Sequence, residues 1–189
     1  MMIKDFSIVD KNGLSYETTW NNDNVKVKET LKNRENPETK RLIKLVSQEY
    51  NVGIKWVYED KEIVLINNDV IFGCPSIDMQ YVIAIYSGDQ TEYIPPNNAV
   101  IYNADGSIHK VLSVPLLISD AAKNQGWYKR QPDTTIGFTG VDWKTNSKGE
   151  KVVVIEISDH YYRIMKEFRV LNPETGEFGE CIGSRIEYK

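Results

Sequence analysis

The chain has 189 residues, of which 41% are hydrophobic and 26% charged, and its 23 basic and 27 acidic side chains leave a net charge of −4. A chain of that length removes about 70% of its unfolded surface from water, enough for one domain with a core that needs no disulfide or metal staple. The composition excludes a disordered chain, the negative balance disfavours nucleic acid as a partner, and two distant cysteines, Cys74 and Cys181, do not make the framework of a small secreted domain.

Met1-Met2-Ile3-Lys4-Asp5-Phe6 has neither the basic start nor the apolar stretch of a signal peptide. The longest strongly apolar runs, Tyr81–Tyr86 and Val152–Ile155, have strand length and fall far short of a membrane span. A cytoplasmic protein without a membrane segment is expected. The first predicted hairpin pairs Met2–Val9 with Leu14–Trp20 across Asp10-Lys11-Asn12-Gly13, where Asn-Gly supplies the positive φ of a tight turn. Residues 21–35 are polar and carry no clear period.

A helix is predicted over about 37–51. Asn36 caps it, Pro37 takes the first helical position, Glu38 complements the helix dipole, and Leu42, Ile43, Val46 and Tyr50 share one face before Gly53. The second hairpin pairs Ile54–Tyr58 with Glu62–Ile66, Val70–Phe72 and Met79–Tyr86 add strands, and a long loop runs from Asp89 to Asn98. The third pairs Ala99–Tyr102 with Ser107–Leu112 across Asn103-Ala104-Asp105-Gly106, and a short helix starts near Ser119 and stops before Gly126. After the loop from Gly126 to Asp133, the fourth hairpin pairs Thr135–Trp143 with Glu150–Ile157 and the fifth pairs Tyr161–Leu171 with Glu177–Tyr188. The last three hairpins are expected to form a meander. The fold class expected is α+β, a single domain over residues 1–189 in which the 37–51 helix packs on a twisted antiparallel sheet or half-barrel.

Chemistry-bearing motifs are scarce. His109 sits in a strand, and Cys181, His160 and Asp159 are the ingredients of a thiol–imidazole site without a protease signature around them. No metal-ligand spacing and no glycine-rich phosphate loop occurs, so no metal or cofactor is expected. Gly137, Gly140, Gly149, Gly176, Gly179 and Gly183 read as turns and bulges. Carboxylates cluster as Glu59, Asp60 and Glu62, as Asp89 and Glu92, and as Glu174, Glu177 and Glu180. Such clusters read as solvated turns or as an acidic contact patch, since charge complementarity speeds and selects association. The stretch Trp127-Tyr128-Lys129-Arg130-Gln131-Pro132 reads as a loop pinned by a buried Trp, or as an aromatic and cationic contact.

Three stretches carry a resemblance. Pro95-Pro96-Asn97-Asn98-Ala99-Val100-Ile101-Tyr102-Asn103-Ala104-Asp105-Gly106-Ser107-Ile108, the C-terminal Gly176–Arg185 and the opening Phe6–Trp20 resemble segments of small bacterial immunity proteins from polymorphic toxin and contact-dependent growth inhibition systems. The resemblance implies a cytosolic, non-enzymatic protein that binds the C-terminal domain of one cognate toxin, often a nuclease, and blocks it. An acidic protein suits a toxin whose surface is positive where it meets phosphate. Within that reading the contact residues expected are Glu59, Asp60, Glu62, Asp89 and Glu92. The alternative is a small-ligand module whose hairpins curl around an aromatic-lined pocket, with an enzyme using carboxylates or His160 and Cys181 as a third reading.

Overall fold

Turn chemistry sets the strands. The computed structural model describes residues 1–10, 15–17, 51–66, 70–87, 91–124, 135–159 and 165–187. The predicted hairpins form as β1 (Lys4–Asp10) with β2 (Ser15–Glu17), β3 (Asn51–Tyr58) with β4 (Lys61–Ile66), and β7 (Ala99–Asn103) with β8 (Ile108–Leu112). They continue as β9 (Ile136–Thr145) with β10 (Lys151–Asp159) and β11 (Met165–Asn172) with β12 (Glu177–Ile186). The two extra apolar runs supply β5 (Val70–Pro75) and β6 (Tyr81–Tyr86). Among the described residues these strands make three four-stranded sheets: β2-β1-β3-β4, β5-β6-β7-β8 and β12-β11-β10-β9.

The sheet β5-β6-β7-β8 lies in the middle. Side chains alternate across a strand, and along β6 and β7 the alternate residues enter different cores. Ile83, Ile85, Ala99 and Ile101 pack with Phe138, Ile155 and Met165 of the C-terminal sheet. Val82, Ala84, Tyr86, Val100 and Tyr102 pack with Phe6, Ile54 and Trp56 of the first sheet. Both faces are dry, which is why these strands read as unbroken apolar runs.

Two expectations are corrected by this layering. The fold is β rather than α+β, and it is neither one twisted sheet nor a half-barrel. Sheets cover sheets in both cores, and the α-helix of the described residues, α1 (Asp120–Asn124), has five residues. The helix expected over 37–51 lies outside the described residues, except for Asn51, which opens β3 as a strand. The third hairpin does not join a C-terminal meander, because β7 pairs along its length with β6 and closes the middle sheet instead.

Polar groups inside the layers are satisfied by specific partners. In β11 the inward residues are Met165, Glu167, Arg169 and Leu171. The buried Glu167 carboxylate accepts the Ser119 amide at 2.9 Å and the Arg169 guanidinium at 3.3 Å, and Arg169 donates in turn to the carbonyls of Gly179 and Leu116. This pairing offsets the cost of burying both charges and ties the segment before α1 to the C-terminal sheet. Ser119 then caps α1, its hydroxyl accepting the Ala122 amide at 3.2 Å.

Asn98 joins the middle and C-terminal sheets. It is fully buried; its Nδ2 donates to the carbonyls of Tyr86 and Phe138, and its Oδ1 accepts the Phe138 amide, all at 2.8 Å. Gly137 gives it room, since a Cβ there would stand 3.0 Å from both Asn98 Oδ1 and the Pro95 ring. Asn98→Ala strips three buried backbone groups of this partner, and each such loss costs roughly 1–3 kcal/mol. The expected outcome is destabilisation by about 3 kcal/mol or more, read as a lowered urea midpoint without a changed slope.

Candidate functional site: grooves where four hairpin turns meet

The turns of β3–β4, β5–β6, β7–β8 and β11–β12 gather at one end of the layers, each held by its own hydrogen bonds. In the β3–β4 turn Glu59 and Asp60 both adopt positive φ, 50° and 59°, the geometry of a two-residue hairpin loop. In the β5–β6 turn the Ser76 hydroxyl donates to Asp78 at 2.5 Å and accepts the Tyr81 amide at 2.9 Å. In the β7–β8 turn Asp105 accepts the amide and hydroxyl of Ser107 at 2.9 and 2.6 Å. The β11–β12 turn is fastened to β8, where His109 Nε2 meets the Glu174 carbonyl at 2.7 Å and Lys110 Nζ donates to the Thr175 carbonyl at 2.6 Å.

A tryptophan sets the position of the β7–β8 turn. Trp56 of β3 is fully buried, and its indole N–H donates to the Ala104 carbonyl at 2.7 Å. Gly106 completes the turn with φ +86°, and a Cβ at that position would stand 2.8 Å from Ile63 Cγ2 of β4. Middle and first sheets are thereby locked together at the site.

Between these turns runs an open groove of about 400 Å³ walled by Tyr58, Gln80, Tyr81 and Asn103, with the carboxylates of Asp78, Asp105 and Glu174 on it and no cation in its lining. A second open groove, about 360 Å³, shares Asp78, Tyr81 and Glu174 with the first and has Ile77, Val152, Val170 and Pro173 in its lining. The hydrogen bonds from Ser107 lower the Asp105 pKa and keep it ionised. Tyr58 is shifted upward, first by burial and then by the charge and hydrogen bond of Glu59 and the charge of Asp105.

The residues singled out from sequence are dispersed. Glu59 stands beside Tyr58 at the rim of the first groove. Asp60 is exposed at the tip of its turn, and Glu62 is engaged by Lys55 at 2.8 Å. Glu92 is exposed but lines neither groove, and Asp89 lies outside the described residues. Glu174 belongs to a predicted acidic cluster and Asp105 to a predicted turn, whereas nothing in the sequence singles out Asp78. That their turns share one end is not visible in the sequence.

Glu92 belongs to a tyrosine cluster instead. The hydroxyls of Tyr86 and Tyr102 meet at 2.6 Å, and the Tyr93 ring lies 4.8 Å from that of Tyr86. Burial, followed by the hydrogen bond and charge of Glu92, pushes Tyr93 up to about 12, and burial raises Tyr86 and Tyr102 as well.

The thiol–imidazole ingredients do not gather. Cys181 lies opposite Arg169, which lies opposite Ile155, so Asp159 is two strands away and four residues further along, about 13 Å in the strand direction alone. His160 and the Trp127–Pro132 stretch lie outside the described residues. Burial raises the pKa of both Cys181 and Cys74, the opposite of what an activated thiolate needs. Both cysteines are free. Among the described residues no cluster of His, Cys, Asp and Glu could hold a metal, and no helix is long and apolar enough to cross a membrane.

No family model matches the sequence, and no curated protein matches it. Among solved structures, a chain of the structure of Tne2 in complex with Tni2 has a similar fold, with a TM-score of 0.57 over 95% of this chain and 97% of that one, at 10% sequence identity. At that identity the likeness is one of fold.

Two outcomes follow from the geometry. Trp56→Phe shrinks a fully buried ring and leaves the Ala104 carbonyl without its donor, so stability falls by roughly 1–3 kcal/mol for the lost hydrogen bond, with a further cost for the cavity, and amide-exchange protection drops at Gly106 in the turn. For Tyr93 the folded state holds the phenolic proton more tightly than the unfolded chain does. Its contribution is therefore complete below pH about 10 and is lost as pH rises toward about 12. A stability–pH series should fall over that interval, and Tyr93→Phe should flatten the fall.

Proposed function

We propose that this chain is an immunity protein that binds the C-terminal domain of a cognate bacterial toxin and neutralises it by occlusion, with no reaction of its own. One observation carries the reading: over 95% of its length the chain has the fold of a chain found in a complex of one protein with another, Tne2 with Tni2. The sequence resemblance to immunity proteins of polymorphic toxin and contact-dependent growth inhibition systems points the same way. Its place of action is then the cytoplasm, where it meets the incoming toxin. A toxin with a positive active surface, such as a nuclease, would complement the net charge of −4.

The small-ligand alternative has less support. Its expected feature is an enclosed apolar pocket, whereas the two grooves formed by described residues at the turn cluster are open and carry carboxylates.

The decisive experiment is recovery of the tagged protein from lysate of its native host, with mass spectrometry of what accompanies it. A single toxin C-terminal domain in equal stoichiometry is the expected result. Recovery of a small molecule with no protein partner would replace this reading with the ligand-binding one.

A further inference from the structure

We propose that the two joined grooves at the turn cluster are the docking surface of this protein, and that they take an extended segment of a partner protein in which a Lys or Arg stands near an apolar side chain. The surface is argued from its own geometry, and only the partner's identity rests on the immunity reading.

The second groove has an apolar character that needs a cover. Ile77 forms its lip with 37% of its surface exposed, and Val152, Val170 and Pro173 continue it. The adjoining groove offers the opposite chemistry. Asp78 and Glu174 stand where the two grooves join, and Asp105 lies further into the acidic one. Nearby cations are engaged elsewhere: Lys110 donates to the Thr175 carbonyl, and Lys151, in the lining of the apolar groove, lies over the Trp143 ring at 6.0 Å. A partner cation placed among Asp78, Asp105 and Glu174 would meet three carboxylates that form no ion pair with another described residue.

Spacing selects the shape of the occupant. An extended strand advances about 3.3 Å per residue and alternate side chains share a face, so residues i and i+2 of one segment, about 7 Å apart, can reach adjoining grooves. The cation then enters the groove lined by Tyr58 and Tyr81, residue types that favour cations and dominate interface energetics. The apolar side chain covers Ile77. Because all four turns are already fixed by hydrogen bonds, docking orders little of this chain, which preserves affinity.

The test uses the full chain labelled with nitrogen-15 and two synthetic octapeptides, a Lys–Leu peptide repeating Lys-Ser-Leu-Ser, which sets Lys and Leu on one face of an extended strand, and a Glu–Leu peptide repeating Glu-Ser-Leu-Ser. The expected result is amide shifts confined to the groove linings and their turns, at Tyr58, Ser76–Tyr81, Asn103–Asp105, Lys151–Val153, Val170–Asn172 and Glu174, produced by the Lys–Leu peptide and not by its acidic counterpart. Glu174→Lys and Ile77→Asp, both at exposed positions, should each weaken binding roughly tenfold or more. Glu180→Lys carries the same charge change as Glu174→Lys on β12, outside both grooves, and should leave binding within about twofold. Shifts centred elsewhere, an equal response to the acidic peptide, an equal loss in Glu180→Lys, or no shift at millimolar peptide would each overturn the proposal. The immunity reading fails separately. A recovered toxin domain bound equally well by Glu174→Lys and Ile77→Asp refutes the grooves alone, while groove-specific peptide binding with no recovered toxin refutes the toxin alone.

Discussion

Burial of both faces of β6 and β7, the inner strands of the middle sheet, is the constraint on which the rest of the structure depends. Val82 to Tyr86 are each no more than 3% exposed although their side chains alternate between two cores. Fully burying a Val or Ile side chain contributes roughly 1.5–3 kcal/mol, so β6 and β7 anchor both neighbouring sheets at once. A slip of one residue would exchange the two sets of side chains between cores of different shape. Small Ala84 and large Tyr86 are matched to the first-sheet side, while Ile83 and Ile85 are matched to the other.

Strands dry on both faces leave no water for polar groups between layers, and this explains where the long-range hydrogen bonds occur. Asn98 serves the backbone of β9, Trp56 serves a turn carbonyl, and Glu167 with Arg169 serves the strap before α1. Each spans elements distant in sequence, and each fixes the relation of one layer to the next. The turn cluster follows from the same arrangement. With three antiparallel sheets stacked and cross-linked in this way, hairpin turns from different sheets must end near one another, and their small polar residues become a common surface.

What the sequence made legible was local. Asn-Ala-Asp-Gly, Asn-Pro-Glu-Thr-Gly and the alternating runs around them marked the hairpins, because a tight turn needs particular residues wherever it occurs. Sheet membership was not local. The third hairpin has nothing in its own residues to say that β7 pairs with β6 rather than with a later strand. The apolar run Tyr81–Tyr86 did hint at burial on both sides, yet it was read only as another strand, and a helix was expected to do the covering that a second sheet does. The site failed for a related reason. Counting carboxylates favoured the dense group Glu59, Asp60 and Glu62, but Lys55 engages Glu62, while Asp78, Asp105 and Glu174 come from three turns that only tertiary structure assembles.

Core and turn surface therefore obey different rules in this molecule. The layered core asks for apolar character on both faces of β6 and β7 and a few cross-layer donors, conditions that many sequences meet, so an architecture can persist at 10% identity with a chain of the Tne2–Tni2 structure. The turns ask only for residues that permit their backbone angles, and beyond that they are free to change. Asp105 satisfies its turn through Ser107 and still presents a carboxylate to the groove; Glu174 contributes its backbone carbonyl to His109 and leaves its side chain to the surface. One residue thus meets a structural demand with its backbone or one oxygen and leaves the rest to the surface. That division lets the surface chemistry of the turns change while the core beneath them stays fixed.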